Sequence, residues 1–228
     1  MAWLAASAAL SLMPSNTRNE ILALLKRNGG HTVNELASPL GLAPITVRQH
    51  LTRLERDGLL MAEQRNGSVG RPQLVFRLTA KAHAAAFPRR SDRLVELLVR
   101  EISRLDGSEL IGLPAPERAC LILDRLAQHL ADEYAPFLQG WPLQERVVFV
   151  TEVLHADGGF AEWEKTAGGF EIRDYNCVFR RLLENGSGQD CRWHQTFLSR
   201  TLGAEVRAAP CDDQPAHCCR YTVSAPSD

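Results

Sequence analysis

No apolar run in the chain reaches the roughly 20 residues that a helix needs to cross a bilayer. The opening MAWLAASAALSL is apolar over only its first dozen positions. It also lacks the basic n-region of a secretory signal. Residues 1–13 are therefore expected to be a disordered extension or a mis-assigned start, because a better helix signal begins at Met13. Without a secretion signal the expected compartment is the reducing cytoplasm, with no membrane partner. Four chemical signatures are missing as well: the dinucleotide pattern GxGxxG, the P-loop, HExxH and GxSxG. Their absence removes sequence support for nucleotide, zinc-protease or serine-hydrolase chemistry, and no enzymatic activity is expected. Cysteine is scarce at first, with Cys120 alone in the first 176 residues, and then dense, with five in the last 52.

The formal net charge is −1, which hides a split. Up to Arg90 there are twelve Lys/Arg against five Asp/Glu, or +7; beyond it there are fourteen against twenty-two, or −8. A basic front and an acidic back point to a polyanionic partner for the front alone.

The basic part reads as three helices and a hairpin. SNTRNEILALLKRNGG opens on Ser15 or Asn16 as N-cap, shows Ile21, Leu22, Leu24 and Leu25 on its apolar face, and stops at Gly29-Gly30. HTVNELASPLG has Thr32 and Glu35 spaced as a capping box and Gly41 as its stop. LAPITVRQHLTRLERDGLL carries Pro44 at the first helical position, with Ile45, Val47, Leu51 and Leu54 expected inside. Strands are expected near Leu59 to Arg65 and Gln73 to Leu78, joined by a tip with Asn66-Gly67. Helix, tight glycine turn, helix and hairpin make a winged helix. In that arrangement Arg48 and Gln49 are expected to reach base edges in a major groove, and Thr46 and Arg53 to hold phosphates. His50 stands with them, although it and His31 also read as surface or packing histidines. Arg71, and with it Arg65, is placed on the wing against the backbone or minor groove. The segments LGLAPITVRQHLTRLERDGLL and GRPQLVFRLTAKAHAAAFP resemble the winged-helix repressors grouped as ArsR-like or DeoR-like. That resemblance implies a double-stranded DNA operator as partner.

Two more helices are expected in the middle. SDRLVELLVREISRL shows Leu94, Leu97, Leu98, Ile102 and Leu105 along one face, and APERACLILDRLAQHLADEYAPFL follows. Either suits a core or a second copy of the chain, and a homodimer is expected because operators for such proteins are two-fold. Cys120, among apolar neighbours, reads as a small buried hydrophobe.

Farther on, GGFAEWEK and GGFEIRDYN alternate as a hairpin turning at Thr166 to Gly169. AEVRAAP and CRYTVSA add two strands, and helices are expected near 178–184 and 193–202. Cys177, Cys191 and Cys219 fall at the ends of these elements, with 13 and then 27 residues between them. A thiolate at a helix N-terminus is favoured by the helix dipole, and thiolates are the ligands of iron–sulfur clusters and zinc. Close CxxC pairs, the usual zinc signature, are missing. A thiol–disulfide switch and a set of unrelated thiols are the other readings.

The pattern NCVFRRL, DCRWHQTFLSRTLGAEV and CCRYTV resembles the C-terminal half of the SufR-like repressors of iron–sulfur-cluster assembly operons. The resemblance implies a 4Fe-4S cluster held by Cys177, Cys191 and Cys219, with zinc as the alternative metal. For a fourth ligand, Cys211, Cys218 and His194 remain open. Cys218 and Cys219 are adjacent, so on a strand they point to opposite faces.

The expected fold is α+β: a winged helix-turn-helix over 14–90, a helical connector over 91–140, and a small antiparallel sheet with helices over 141–228. The expected function is a DNA-binding repressor that senses iron–sulfur or redox status. The rivals are a winged-helix regulator for a small organic ligand, zinc or thiol oxidation, and an enzyme that pairs a reactive cysteine with His194 or His217.

Overall fold

The computed structural model of the chain describes residues 16–65, 72–177, 192–209 and 218–224. They fall into two compact units, one up to Pro88 and the other from Arg89 onward. The first unit is built from α1 (Thr17–Asn28), α2 (Val33–Leu40), α3 (Pro44–Arg56), β1 (Leu60–Arg65), β2 (Gln73–Leu78) and α4 (Ala80–Ala86). Each helix boundary follows from a local signal. The Asn16 side chain accepts from the Arg18 N–H at the start of α1, and Gly29 ends that helix at φ 74°, a left-handed conformation that suits glycine. Thr32 and Glu35 form the full capping box of α2, and Gly41 closes it at φ 63°.

The strands β1 and β2 pair antiparallel with Leu60 opposite Leu78 and Arg65 opposite Gln73. The hairpin tip, with Asn66-Gly67 and Arg71, lies outside the described residues. His31 adds a third, single-residue contact: its N–H and C=O both bond Phe76, at 3.1 and 2.8 Å. Its ring lies 2.8 Å from Asn28 Nδ2, so His31 is a packing residue. The core gathers Ile21, Leu25, Leu36, Val47, Leu51, Leu54 and Phe76. Ile45 departs from expectation, being 64% exposed. The reason is angular: it sits two positions before Val47, about 200° around a helix of 3.6 residues per turn, and so off the 47–51–54 stripe.

The second unit joins α5 (Ser91–Arg104), a 3-10 turn (Gly107–Leu110), α6 (Ala115–Leu138) and α7 (Leu143–Ala156) to a four-stranded sheet and α8 (Arg192–Leu202). The sheet contains β3 (Ala161–Thr166), β4 (Gly169–Asp174), β5 (Val206–Ala209) and β6 (Cys219–Ser224), in the order β3-β4-β6-β5 and antiparallel throughout. Residues 91–140 and the sheet share one core: Leu126, Ala127 and Leu130 of α6 cluster with Phe197, Leu198 and Leu202 of α8 and with Ile172 of β4. Cys120 is half-buried on α6. Among the described residues no helix is long and apolar enough to cross a membrane.

Helix α7 has no expectation to match. Its run of Val147, Val148, Phe149 and Val150 reads as strand or helix alike. Helix α5 differs from its expected face: Ile102 is 54% exposed, while Glu101 is 1% exposed. Glu101 shares the inner face with Leu94, Leu97 and Leu98 at helical spacing. There it takes Arg125 Nε at 2.9 Å and His129 Nδ1 at 2.5 Å, both from α6. Burial alone raises the Glu101 pKa, but the hydrogen bonds from His129 and Arg125 outweigh it and hold the carboxyl below its ordinary value. A group depressed in the folded state adds stability above its unfolded pKa and loses it as pH falls through the folded one. The melting temperature is therefore expected to drop below the ordinary glutamate range, and Glu101→Gln is expected to flatten that acid limb in a pH series of thermal melts.

Candidate nucleic-acid interface and metal centre

On α3 the buried positions Val47, Leu51 and Leu54 fix the helix, and its polar positions point away from them. Arg48, Gln49 and Arg53 are exposed, and Thr46 and His50 are half-buried. Three other arginines of this unit are partly neutralised: Arg18 pairs with Asp57 at 2.8 Å, Arg65 with Glu35 at 3.4 Å and Arg77 with Glu63 at 2.8 Å. Among the described residues neither Arg48 nor Arg53 has a carboxylate partner. Their charge is thus uncompensated on the exposed side of α3, the condition for phosphate or base contact. Ile45, expected inside, is instead an exposed apolar group one position before Thr46, and its angular distance from Val47 is the signal for that.

A second cluster lies in the C-terminal unit. Cys177 Sγ, His194 and Asp174 offer ligand atoms all within 4.8 Å of one another, and all three residues are buried. His194 Nδ1 stands 3.7 Å from Cys177 Sγ, and its Nε2 stands 3.3 Å from Asp174 Oδ2. Each member is held by its neighbours. Asp174 ends β4 and accepts from the Asn176 N–H at 2.8 Å. Asn176 in turn donates through Nδ2 to the Gly158 C=O at 2.6 Å and accepts from Arg89 Nε at 3.0 Å. This network fixes the turn that presents Cys177. His194 sits in the first turn of α8, stacked on Tyr221 with ring centroids 5.4 Å apart and edge-on to Trp193 at 4.8 Å. Gly159 is required here for close approach: a Cβ on it would lie 2.6 Å from the Leu154 C=O and 3.1 Å from Asp174 Oδ1. A cavity bordered by Arg90, Arg93, Asp157, Gly159, Asp174 and His194 opens beside the cluster. Its acid–base wall is settled internally: burial raises the Asp157 pKa against the pull of Arg93, which pairs with it at 2.8 Å.

The other cysteines fall around this corner in different ways. Cys219 is the cross-strand partner of Asp174, so the two side chains share one sheet face. Cys218 is buried. Burial raises the pKa of the Tyr175 hydroxyl, against the pull of Arg173. Cys191, Cys211 and His217 lie outside the described residues. Of the expected ligands, the structure brings Cys177 and His194 together. Asp174 had no expected role; its alternation with Phe170 and Ile172 on β4 was the signal that it faces inward.

The donor set fits a metal. Thiolate, imidazole and carboxylate are ligands of zinc and of iron, and three within 4.8 Å leave a tetrahedral ion one open position.

Comparison with known proteins bears on the first unit. Residues 15–61 match the family model for winged helix-turn-helix DNA-binding domains. The Bacillus subtilis (strain 168) protein named probable C4-dicarboxylate response regulator DctR is 39% identical over 57 residues, 25% of this chain and 25% of that protein. The matched stretch therefore spans only a quarter of that relative. Among solved structures, a transcriptional regulator homologue from Pyrococcus horikoshii OT3 is 23% identical over 46% of this chain and 99% of its own, with a TM-score of 0.29. Lactococcus lactis ZitR in complex with DNA is 21% identical over 52% of this chain and 77% of its own, with a TM-score of 0.27. The three helices, the paired strands and the matched family model together make the first unit a winged helix-turn-helix DNA-binding domain.

Proposed function

We propose that the chain is a homodimeric, winged-helix transcriptional repressor, not an enzyme, whose C-terminal unit senses iron–sulfur status through a 4Fe-4S cluster. Arg48 and Gln49 read base edges, Thr46 and Arg53 with Arg71 hold the backbone, and His50 and Ile45 border the contact, Ile45 against a thymine methyl. The two-fold symmetry of operators calls for a dimer. Cys177, Cys191 and Cys219 are the cluster sulfurs, and His194 is the fourth ligand. The observation that carries this reading is the 3.7 Å approach of Cys177 Sγ to His194 Nδ1 at the head of α8, with Cys219 directly across the strand pair from Asp174. Cluster occupancy biases the chain between states of different DNA affinity, as any ligand that favours one state must.

A second reading has its own observation. Asp174 completes a compact, buried Asp–Cys–His set that suits one divalent ion such as zinc. Anaerobic purification, with an absorption spectrum and counts of iron, acid-labile sulfide and zinc, separates the two. The cluster reading expects iron and sulfide in the wild type and neither in Cys177→Ala. One zinc per chain without iron replaces the cluster by the single ion. A metal-free wild type that binds DNA as Cys177→Ala does removes the metal-sensing role altogether.

A further inference from the structure

We propose that the outer face of α5 is a two-fold dimer seam, closed by the same face of a second copy of this chain running antiparallel. This deepens the homodimer reading above and rests on it. The inner face of α5 is committed to its own unit through Leu94, Leu97 and Leu98 and through Glu101 with Arg125 and His129. The outer face carries Val95, Val99 and Ile102, which are 59, 58 and 54% exposed. Spacings of four and three residues put them in one stripe, about 10 Å long at 1.5 Å per residue.

Charge decides the occupant and its direction. The stripe has Asp92 and Glu96 toward the N-terminal end of α5 and Arg100 and Arg104 toward the C-terminal end, all four exposed. An antiparallel copy centred near Val99 sets Val95 beside the second copy's Ile102 and lays the acidic end of each helix along the basic end of the other, twice by symmetry. A parallel copy would set like charges together. Acid at the start and base at the end also suit the dipole of any helix, but an exposed apolar stripe between them does not follow from that. Arg104 has no carboxylate partner among the described residues, while Arg100 is shared between Glu133 at 3.2 Å and Glu96 at 3.7 Å. The apolar surface continues past both ends. Ile111, 79% exposed, follows the 3-10 turn after α5. Phe137, 69% exposed, lies in the last turn of α6, the end that the Arg93–Tyr134 hydrogen bond ties to the start of α5. Antiparallel pairing draws Phe137 of each copy toward Ile111 of the other.

Sedimentation equilibrium of the full chain without DNA tests the seam. The wild type is expected as a dimer, and Val99→Glu as a monomer with unchanged circular dichroism. Arg104→Glu is expected to weaken association about tenfold, since it sets like charges across the seam twice. Adding Asp92→Arg in the same chain is expected to restore it. That rescue is independent of whether Val99→Glu folds, and a residue that only supports its own helix would not show it. A dimer untouched by Val99→Glu and by both charge changes overturns this seam and leaves the homodimer standing. A wild type that stays monomeric at every concentration, free and on DNA, overturns the homodimer itself.

Discussion

Alanine at both Arg48 and Arg53 is expected to weaken binding to a duplex selected from a random pool by about 100-fold to 1,000-fold at 0.1 M salt, and the two changes should divide by kind. Arg48 sits one position after the buried Val47 and projects from the exposed side of α3. As a base-reading group its loss costs about 1–3 kcal/mol against the selected site and relaxes preference at one base pair. Arg53 lies farther along the same helix, in its last turn. As a phosphate contact its loss weakens all duplexes alike, by about tenfold at 0.1 M salt, and lowers the slope of log affinity against log salt by about one. Neither change touches Val47, Leu51 or Leu54, so the melting temperature should stay put. Titration of selected and scrambled duplexes at several salt concentrations reads both effects. Unchanged affinity in the double variant would remove α3 as the reading element.

That prediction rests on the part of the chain whose local signals agree with one another. Thr32, Glu35, Gly41 and Pro44 each fix a boundary within a few residues of themselves, and the structure has every one where the spacing asks for it. Ile45 is apolar, and only its angle on the helix, about 200° from Val47, turns it to the surface. The failure at Glu101 is of another kind. A glutamate among leucines reads as solvent-facing, and only the arrival of Arg125 and His129 from a helix some 25 residues away makes its burial tolerable. The same limit applies to Asp174. Cysteines advertise ligand chemistry through their rarity, whereas a carboxylate at a strand end looks like any other until the fold brings His194 to within 3.3 Å. Local capping and periodicity are written into neighbouring residues; buried polar clusters are assembled from distant ones and leave little trace in spacing.

Two single substitutions on opposite strands, Asp174→Asn and Cys219→Ala, are expected to give opposite patterns under the two metal readings. If one divalent ion sits among Asp174, Cys177 and His194, the amide removes an anionic ligand while keeping the shape and the oxygen that accepts from the Asn176 N–H. Zinc affinity should then fall by more than about 100-fold, and Cys219→Ala should leave it nearly unchanged. If a cluster is bound, Cys219 is a sulfur ligand and its loss should abolish incorporation of iron and sulfide. Asp174 then acts only by holding the His194 ring, and Asp174→Asn should weaken retention about 10-fold to 100-fold, the range for groups that orient a metal's ligands. Chelator competition for zinc and the decay of visible absorption under a mild iron chelator provide the two readouts, and circular dichroism confirms that the buried corner still folds. Asp174 and Cys219 sit directly across one strand pair, on one face, and Asp174 groups with Cys177 and His194. A single step from carboxylate to sulfur along that face therefore separates a site for one hard-to-soft ion from a site for a cluster, and the pair of substitutions measures which side of that step the protein occupies.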